Sequence, residues 1–597
     1  MSSYADRLSA LREQLKRDRL DGFVVPLTDE HMSEYVGSYA KRLEWLTGFK
    51  GSAGSAVVLP EAAAIFTDGR YTLQVRSQVS ASEWSYESVP ETSAAEWLRE
   101  HAPKGARIGY DPWLHTSDWV KQATEQLAAK GAELVAVGAN PIDLVWADRP
   151  APSKARLVVQ SEELAGQSSA DKRHQMADWL AKDGADAAVL AALDSIAWTF
   201  NVRGADVSHT PVALAYAVVH NDGTADLFVE GEKVGDDVRA HLGNGVRLHE
   251  RDEFETYLRS QTGKLVAVDP ERSVAAIAQA LDEGGARILS RRDPAVLPKA
   301  IKNEREIAGH QAAQARDGAA IARFLRWVEA EAPSGKLDEL SASDRLQAFR
   351  EEGGMLKDLS FDTISGSGPN GAIVHYKASS ETNRAIELNS LYLVDSGGQY
   401  EDGTTDITRT LAIGQPTDEM RDRFTRVLQG HIAIATALFP KGTRGSQLDS
   451  FARRALWEAG VDYAHGTGHG VGAFLSVHEG PQRISPVGSA QAGGDEPLVA
   501  GMILSNEPGY YKTGEYGIRI ENLVLVVEKA VAGAEKPMLG FETLTFAPIE
   551  RRLIDRQMLA AKELGWLNDY HTEVVARIGP QLAPDERAWL EAACAPL

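Results

Sequence analysis

Acidic side chains inside apolar, strand-like runs are the feature that most restricts this chain. Asp395 sits in LYLVDSGGQY, Asp406 in DGTTDITRT, Glu507 in ILSNEPGYY and Glu521 in GIRIENLVLVV. A charge on a buried strand is costly unless it is paired. His469, in HGTGHGVG, adds one nitrogen donor among closely spaced glycines. Four such acids brought together would repel one another unless cations held them. Two divalent ions balance four negative charges, and mostly hard oxygen donors suit manganese, cobalt or iron better than a thiolate-type structural zinc site. Ions of this kind acidify water into a nucleophile at neutral pH, so the pattern implies a hydrolase.

Between Asp395 and Asp406 the segment GGQYEDG is rich in turn formers, which predicts a hairpin-like return with the two strands side by side. Glu401 and Asp402 read as its exposed acidic tip. Arg519 and Glu521 lie two apart in IRIENLVLVV, expected on one face of a central strand, with Arg519 placed to orient the Glu521 carboxylate from behind. Glu507 precedes Pro508-Gly509, where a strand breaks into a turn.

With 597 residues, the chain is too long for one core and predicts about three domains. Lys+Arg 63 against Asp+Glu 85 leaves a net charge of -22, which argues against nucleic acid and anionic membrane as partners. Cys594 is the single cysteine, so no intramolecular disulfide can form. No run approaches the roughly 20 apolar residues of a membrane span. The opening MSSYADRLSALREQLKRDRL is charged and helical, without the apolar core of a signal peptide, and the cytoplasm is the expected location.

Two early stretches share one plan. LREQLKRDRLDGFVVP and MADWLAKDGADAAVLAAL each run helix, Asp-Gly break, strand, and each then reaches a tryptophan segment and an apolar run. They predict two α/β domains of like fold, joined through NPIDLVWADRPAPSKAR. Beyond them the expectation is α+β: a long amphipathic helix from Glu304 to Ala332, helices Asp418 to Phe439 and Gly445 to Ala459, intervening strands, and a helical tail from Asp555. The domains are expected at 1–155, 156–302 and 303–597.

The five segments, with SEYVGSYAKRLEWLTGFKGSAGSAVV, FTDGRYTLQV, AWTFNVRGADVSHTPVALAYAVV and GPNGAIVHY, resemble the pita-bread metallopeptidases over nearly the whole chain. The resemblance is closest to the aminopeptidase P (Xaa-Pro aminopeptidase) branch in its long three-domain form. It implies two creatinase-type α/β N-terminal domains ahead of a pita-bread catalytic domain. The metal ligands it implies are Asp395, Asp406, His469, Glu507 and Glu521, on two divalent ions, manganese first and cobalt or zinc as alternatives. It gives Glu507 a second role as general base toward a bridging hydroxide that attacks the scissile carbonyl. His375 and His478 would donate to that carbonyl, and His465 would line the proline pocket. Arg70, in FTDGRY, would touch substrate from the first domain. The substrates implied are peptides with an Xaa-Pro N-terminus, and the assembly is a homodimer. A prolidase acting on dipeptides and a metal-free peptide-binding fold are the competing readings.

Two motifs are set aside. GSGPNG fits the dinucleotide pattern G-x-G-x-x-G, but Pro369 interrupts it and no helix is expected after it. Ser396, in DSG, lacks the strand-elbow-helix setting of a nucleophile.

Overall fold

The computed structural model describes residues 3–89, 91–487 and 494–597. It divides into two compact units, Met1–Val296 and Leu297–Leu597.

The first unit contains the same sheet twice. Strands β1 (Gly22–Pro26), β2 (Ser55–Val58), β3 (Ala63–Thr67), β4 (Ser85–Ser88), β5 (Arg107–Tyr110) and β6 (Glu133–Ala136) lie in the order β4-β3-β2-β1-β5-β6. Strands β7 (Ala187–Leu190), β8 (Tyr216–His220), β9 (Ala225–Phe228), β10 (Val246–His249), β11 (Leu265–Val268) and β12 (Arg287–Ser290) repeat it as β10-β9-β8-β7-β11-β12. The pairing senses also match: β1–β2 and β7–β8 are antiparallel, β1–β5 and β7–β11 parallel. Side chains alternate between two cores, as a strand covered on both faces requires. Phe23 and Val25 enter one cluster and Val24 the other; Ala187 and Val189 enter one and Ala188 the other. Helix α1 (Tyr4–Arg17) precedes the first sheet and α2 (Ser169–Asp183) the second, as expected for a repeated unit.

The second unit opens with helix α3 (Glu304–Glu331), capped by Asn303 and Glu306 in a reciprocal capping box. Its buried face carries Ala313, Ala320, Ile321, Phe324, Leu325 and Val328 at helical spacing. Helix α4 (Glu339–Glu352) packs against it, and beyond them lie strands β13 (Ile364–Ser367), β14 (Ser390–Ser396) and β15 (Ile407–Ile413), ordered β13-β14-β15. Strand β14 is covered on both faces: Tyr392 and Val394 meet α3 and α4, while Leu391 meets helix α5 (Asp418–Ala435). Each such side chain contributes about 1.5–3 kcal/mol of burial.

A second sheet follows, from β16 (Leu438–Pro440), β17 (Gly468–Gly470), β18 (Glu479–Ile484), β19 (Ile503–Asn506), β22 (Asn522–Lys529) and β23 (Met538–Thr543), in the order β16-β23-β22-β19-β17-β18. Between β19 and β22 runs a hairpin of β20 (Gly509–Lys512) and β21 (Tyr516–Arg519). Helix α6 (Gly445–Trp457) follows β16, and helices α7 (Ala561–Ile578) and α8 (Pro584–Ala593) complete the unit.

Two local expectations change. Phe439 is not helical, because α5 ends at Ala435 and Phe439 pairs with Leu539 in a strand. IRIENLVLVV is not one strand: Ile520 N donates to Pro508 O and Glu521 N to Thr408 O, so the chain changes partner between β21 and β22. No helix among the described residues is long and apolar enough to cross a membrane.

Candidate metal centre

The expected hairpin places the first two acids. Strand β14 pairs antiparallel with β15, Asp395 lies opposite Thr408, and Asp406 stands one residue before β15. Both are buried. Glu507 follows β19, with its backbone N–H on Thr467 O at 2.8 Å, and Glu521 precedes β22. His469 occupies the centre of β17. Five segments distant in sequence thus converge, held by backbone hydrogen bonds between strands.

His469 Nε2 lies 3.5 Å from Asp406 Oδ2 and 3.4 Å from Glu507 Oε1. Its Nδ1–H is assigned to Gly470 O at 3.0 Å, which leaves the Nε2 lone pair facing the acids. Ligand atoms of Asp406, His469 and Glu521 all lie within 4.8 Å of one another. Few donors serve these oxygens. Thr408 Oγ1 donates to Glu521 Oε2 at 2.7 Å, Ser505 Oγ to Glu507 Oε1 at 3.1 Å, and Arg519 to Asp395 Oδ2 at 2.5 Å. Among the described residues Asp395 Oδ1 and Glu521 Oε1 are buried without a hydrogen-bond partner.

The electrostatics follow from that shortage. Burial, then the neighbouring Asp395, pushes the Asp406 carboxyl well above its usual range. Burial, then Asp406, Glu507 and Asp395, does the same to Glu521. Glu507 is raised by burial despite His469 and Arg519. Arg519 is kept firmly charged: burial opposes its charge, but Tyr511, Asp395 and Glu507 outweigh it. Carboxyls pushed upward for want of positive charge, with orphaned buried oxygens and one aimed imidazole, fit a pair of divalent cations.

Around the acids the chain supplies a scaffold. Arg519 orients Asp395 rather than the expected Glu521, and joins it to Tyr511, whose hydroxyl lies 2.5 Å from the guanidinium and 2.8 Å from His465 Nε2. His465 therefore ends a chain of polar contacts reaching back to Asp395. Its carbonyl also accepts from Arg453 at 2.7 Å, which pins the loop. His478 meets the His469 ring edge-on, with centroids 4.4 Å apart. His375 lies on the loop after β13, and this loop is anchored by Glu339. That buried glutamate accepts from Ser367 N–H at 2.7 Å, Asn370 Nδ2 at 2.9 Å and Tyr376 hydroxyl at 2.7 Å. The GSGPNG segment is thus a short 3-10 turn at Gly368–Ala372 braced by a carboxylate, with no phosphate cradle. Ser396 is fully buried and accepts from Arg350 at 3.0 Å, which removes it as a nucleophile.

Arg70 belongs to the first unit. It is buried, and its guanidinium forks on Asp68 at 3.0 and 2.7 Å, with Glu34 3.8 Å from its remaining nitrogen. The glycines around His469 serve neighbouring backbone: a Cβ on Gly468 would lie 2.0 Å from Ser505 O.

Sequence reasoning missed Thr408, Tyr511, Ser505 and Arg409. Thr408 carried a signal, since it shares a strand face with Asp406. Arg409, on the opposite face, is fully buried and donates to six groups, including Glu521 O at 2.7 Å and the Tyr570 hydroxyl at 2.9 Å. It holds Glu521 from behind.

The catalytic unit matches the profile of metallopeptidase family M24 over residues 308–528 and that of the C-terminal region of peptidase M24 over 537–597. Profiles of the creatinase/prolidase N-terminal domain match 7–145 and 148–306. A probable Xaa-Pro aminopeptidase P of Laccaria bicolor is 42% identical, across 99% of this chain and 93% of the relative. The chain belongs to the M24 metallopeptidase family. A probable Xaa-Pro aminopeptidase P of Coprinopsis cinerea is 41% identical, with 99% and 98% covered. The crystal structure of an X-prolyl aminopeptidase from Caenorhabditis elegans, described as a cytosolic enzyme with a di-nuclear active site, superposes with a TM-score of 0.94 at 35% identity over 100% of both chains. The fold is therefore two creatinase-type domains and a pita-bread catalytic domain.

Proposed function

We propose that this chain is a metal-dependent aminopeptidase that releases the N-terminal residue from peptides with proline at the second position. The observation that carries this is the whole-chain match, through both N-terminal domains, to an X-prolyl aminopeptidase, together with the donor-poor acidic cluster at the matching unit's centre. Asp395, Asp406, His469, Glu507 and Glu521 would hold two divalent ions, manganese foremost, which supply Lewis acidity and acidify water.

The chain's own groups do the rest. Glu507, whose carboxyl is pushed upward by its surroundings, carries the proton from water to the leaving imide nitrogen. His375 and His478, both half-buried, donate hydrogen bonds to the scissile carbonyl as its oxygen gains charge. His465, tied to Tyr511, lines the proline side. Arg519 fixes Asp395. An Xaa-Pro bond is a tertiary amide with no N–H and a fixed ring, which is the difference such a site can recognise. A substrate role for Arg70 rests on the family resemblance, while its own guanidinium is buried on Asp68. The three-domain division 1–155, 156–302 and 303–597 belongs to the same reading, with residues 297–302 packing in the catalytic unit.

The test is a panel of Xaa-Pro-Xaa tripeptides, their N-acetylated forms, Xaa-Ala-Xaa analogues and Xaa-Pro dipeptides. Release of the first residue should need both the proline and the free amine. Cleavage confined to dipeptides would make the enzyme a prolidase. Pairing of two copies through the catalytic unit is supported by Phe451 and Trp457, 47% and 50% exposed on α6; light scattering should give twice the chain mass. A cytoplasmic location is supported by the cytosolic nematode enzyme and checked by cell fractionation.

A further inference from the structure

Glu479 stands directly after His478 and begins β18. It is fully buried, and each of its oxygens is taken by a lysine: Lys302 on Oε1, and Lys299 on Oε2 at 2.9 Å. Both lysines are themselves buried. They come from a strap ahead of α3. Lys299 lies in the short helix Val296–Ala300, Ile301 bridges to Met502, and Lys302 N–H donates to Gly501 O at 2.9 Å. Lys302 Nζ also donates to Lys299 O at 2.8 Å, which closes the group.

Three buried charges are a poor way to gain stability, since apolar residues of similar volume usually serve as well. What such a triad fixes is location. The backbone it fixes abuts the metal centre: Gly470, next to His469, lies opposite Glu479, and a Cβ there would sit 2.4 Å from Glu479 O. His478, one residue earlier, has its ring against that of His469. Displacing Glu479 therefore shifts His478 relative to the centre, although Glu479 touches none of the acidic ligands.

We propose that the Lys299–Glu479–Lys302 triad is a positioning device for the reaction, and that it acts by setting His478 against the metal centre. This rests on the role given to His478 above. In the full-length, metal-loaded chain, Glu479→Gln should lower kcat about tenfold, as loss of an orienting group does, with KM and metal content near the parent's. Replacing all three residues together (K299M/E479M/K302M) should return the melting midpoint toward the parent value without restoring kcat. In a His478→Ala background, Glu479→Gln should cause no further loss. Equal losses in both backgrounds, or full kcat in the triple variant, would overturn this inference alone. A His478→Ala chain as active as the parent would overturn the assigned role of His478 and this inference with it. Should Glu479→Gln fail to fold, the triple variant replaces it in both backgrounds.

Discussion

Asp226 in the second domain and Asp406 and Glu521 of the metal centre are all buried carboxylates, yet their surroundings push them in opposite directions. Asp226 receives Arg247 at 2.7 and 2.8 Å, His220 at 2.6 Å, His249 at 2.7 Å and the Tyr257 hydroxyl at 2.7 Å. Burial alone would raise its carboxyl, but Arg247, His220, Tyr257 and His249 bring it far below the usual range. At the metal centre four acids share one arginine in hydrogen-bond contact, and Asp406, Glu507 and Glu521 are raised. A burial map would not separate the two sites. The count of donors does: Asp226 is saturated by donors from the chain, whereas the clustered acids around His469 are left short of them, as a site for ions requires.

Removing the metals breaks this comparison most directly. Chelation, or Asp406→Asn, should cost about three decades in kcat/KM, which is several kcal/mol of lost transition-state stabilisation. Activity surviving in fully stripped protein would end the metal reading. The stripped chain should also change the sign of its pH dependence. With folded-state values raised above the ordinary 3.8 and 4.5, the acids contribute stability that is present below about pH 4 and is lost as pH rises through the raised values. Melts with and without chelator should therefore diverge from about pH 5 upward; parallel curves would contradict it.

Asp226→Asn sharpens the other side. It leaves an arginine and two histidines around a neutral amide and should destabilise the first unit by about 2–3 kcal/mol, with kcat unchanged. The native Asp226 contribution is present above its ordinary value of 3.8 and is lost as pH falls below it, opposite in sign to the stripped metal centre. A chemical denaturation curve for the first unit's transition checks it, and an unchanged midpoint would refute it.

The acids were legible because each interrupts an apolar run, and a buried charge without a local partner is conspicuous in a sequence. The repeated domain was legible for a similar reason: helix, Asp-Gly break and strand recur with their spacing intact. What could not be read was set by distant partners. Phe439 continues a helical pattern but takes Leu539 as a strand neighbour about a hundred residues on. Ile520 and Glu521 change strands inside an unbroken β-branched run. Lys299 and Lys302 look like surface lysines beside prolines, and nothing near them predicts Glu479. Asp226 gathers donors from two other strands and a helix, so its fate depends on tertiary contacts alone.

The strap carrying the two lysines bears on how such chains can be recombined. The profile of the second creatinase-type domain extends to residue 306, beyond both lysines, whereas the compact catalytic unit begins at Leu297. The counter-ions of Glu479 are thus inherited with the neighbouring domain by sequence but belong to the catalytic unit by packing. A domain exchanged at the profile boundary would bring its own strap, and the incoming strap would have to supply both ammonium groups. A chimera cut at residue 306 therefore depends on its donor for both ammonium groups, whereas one cut at Leu297 keeps the triad whole.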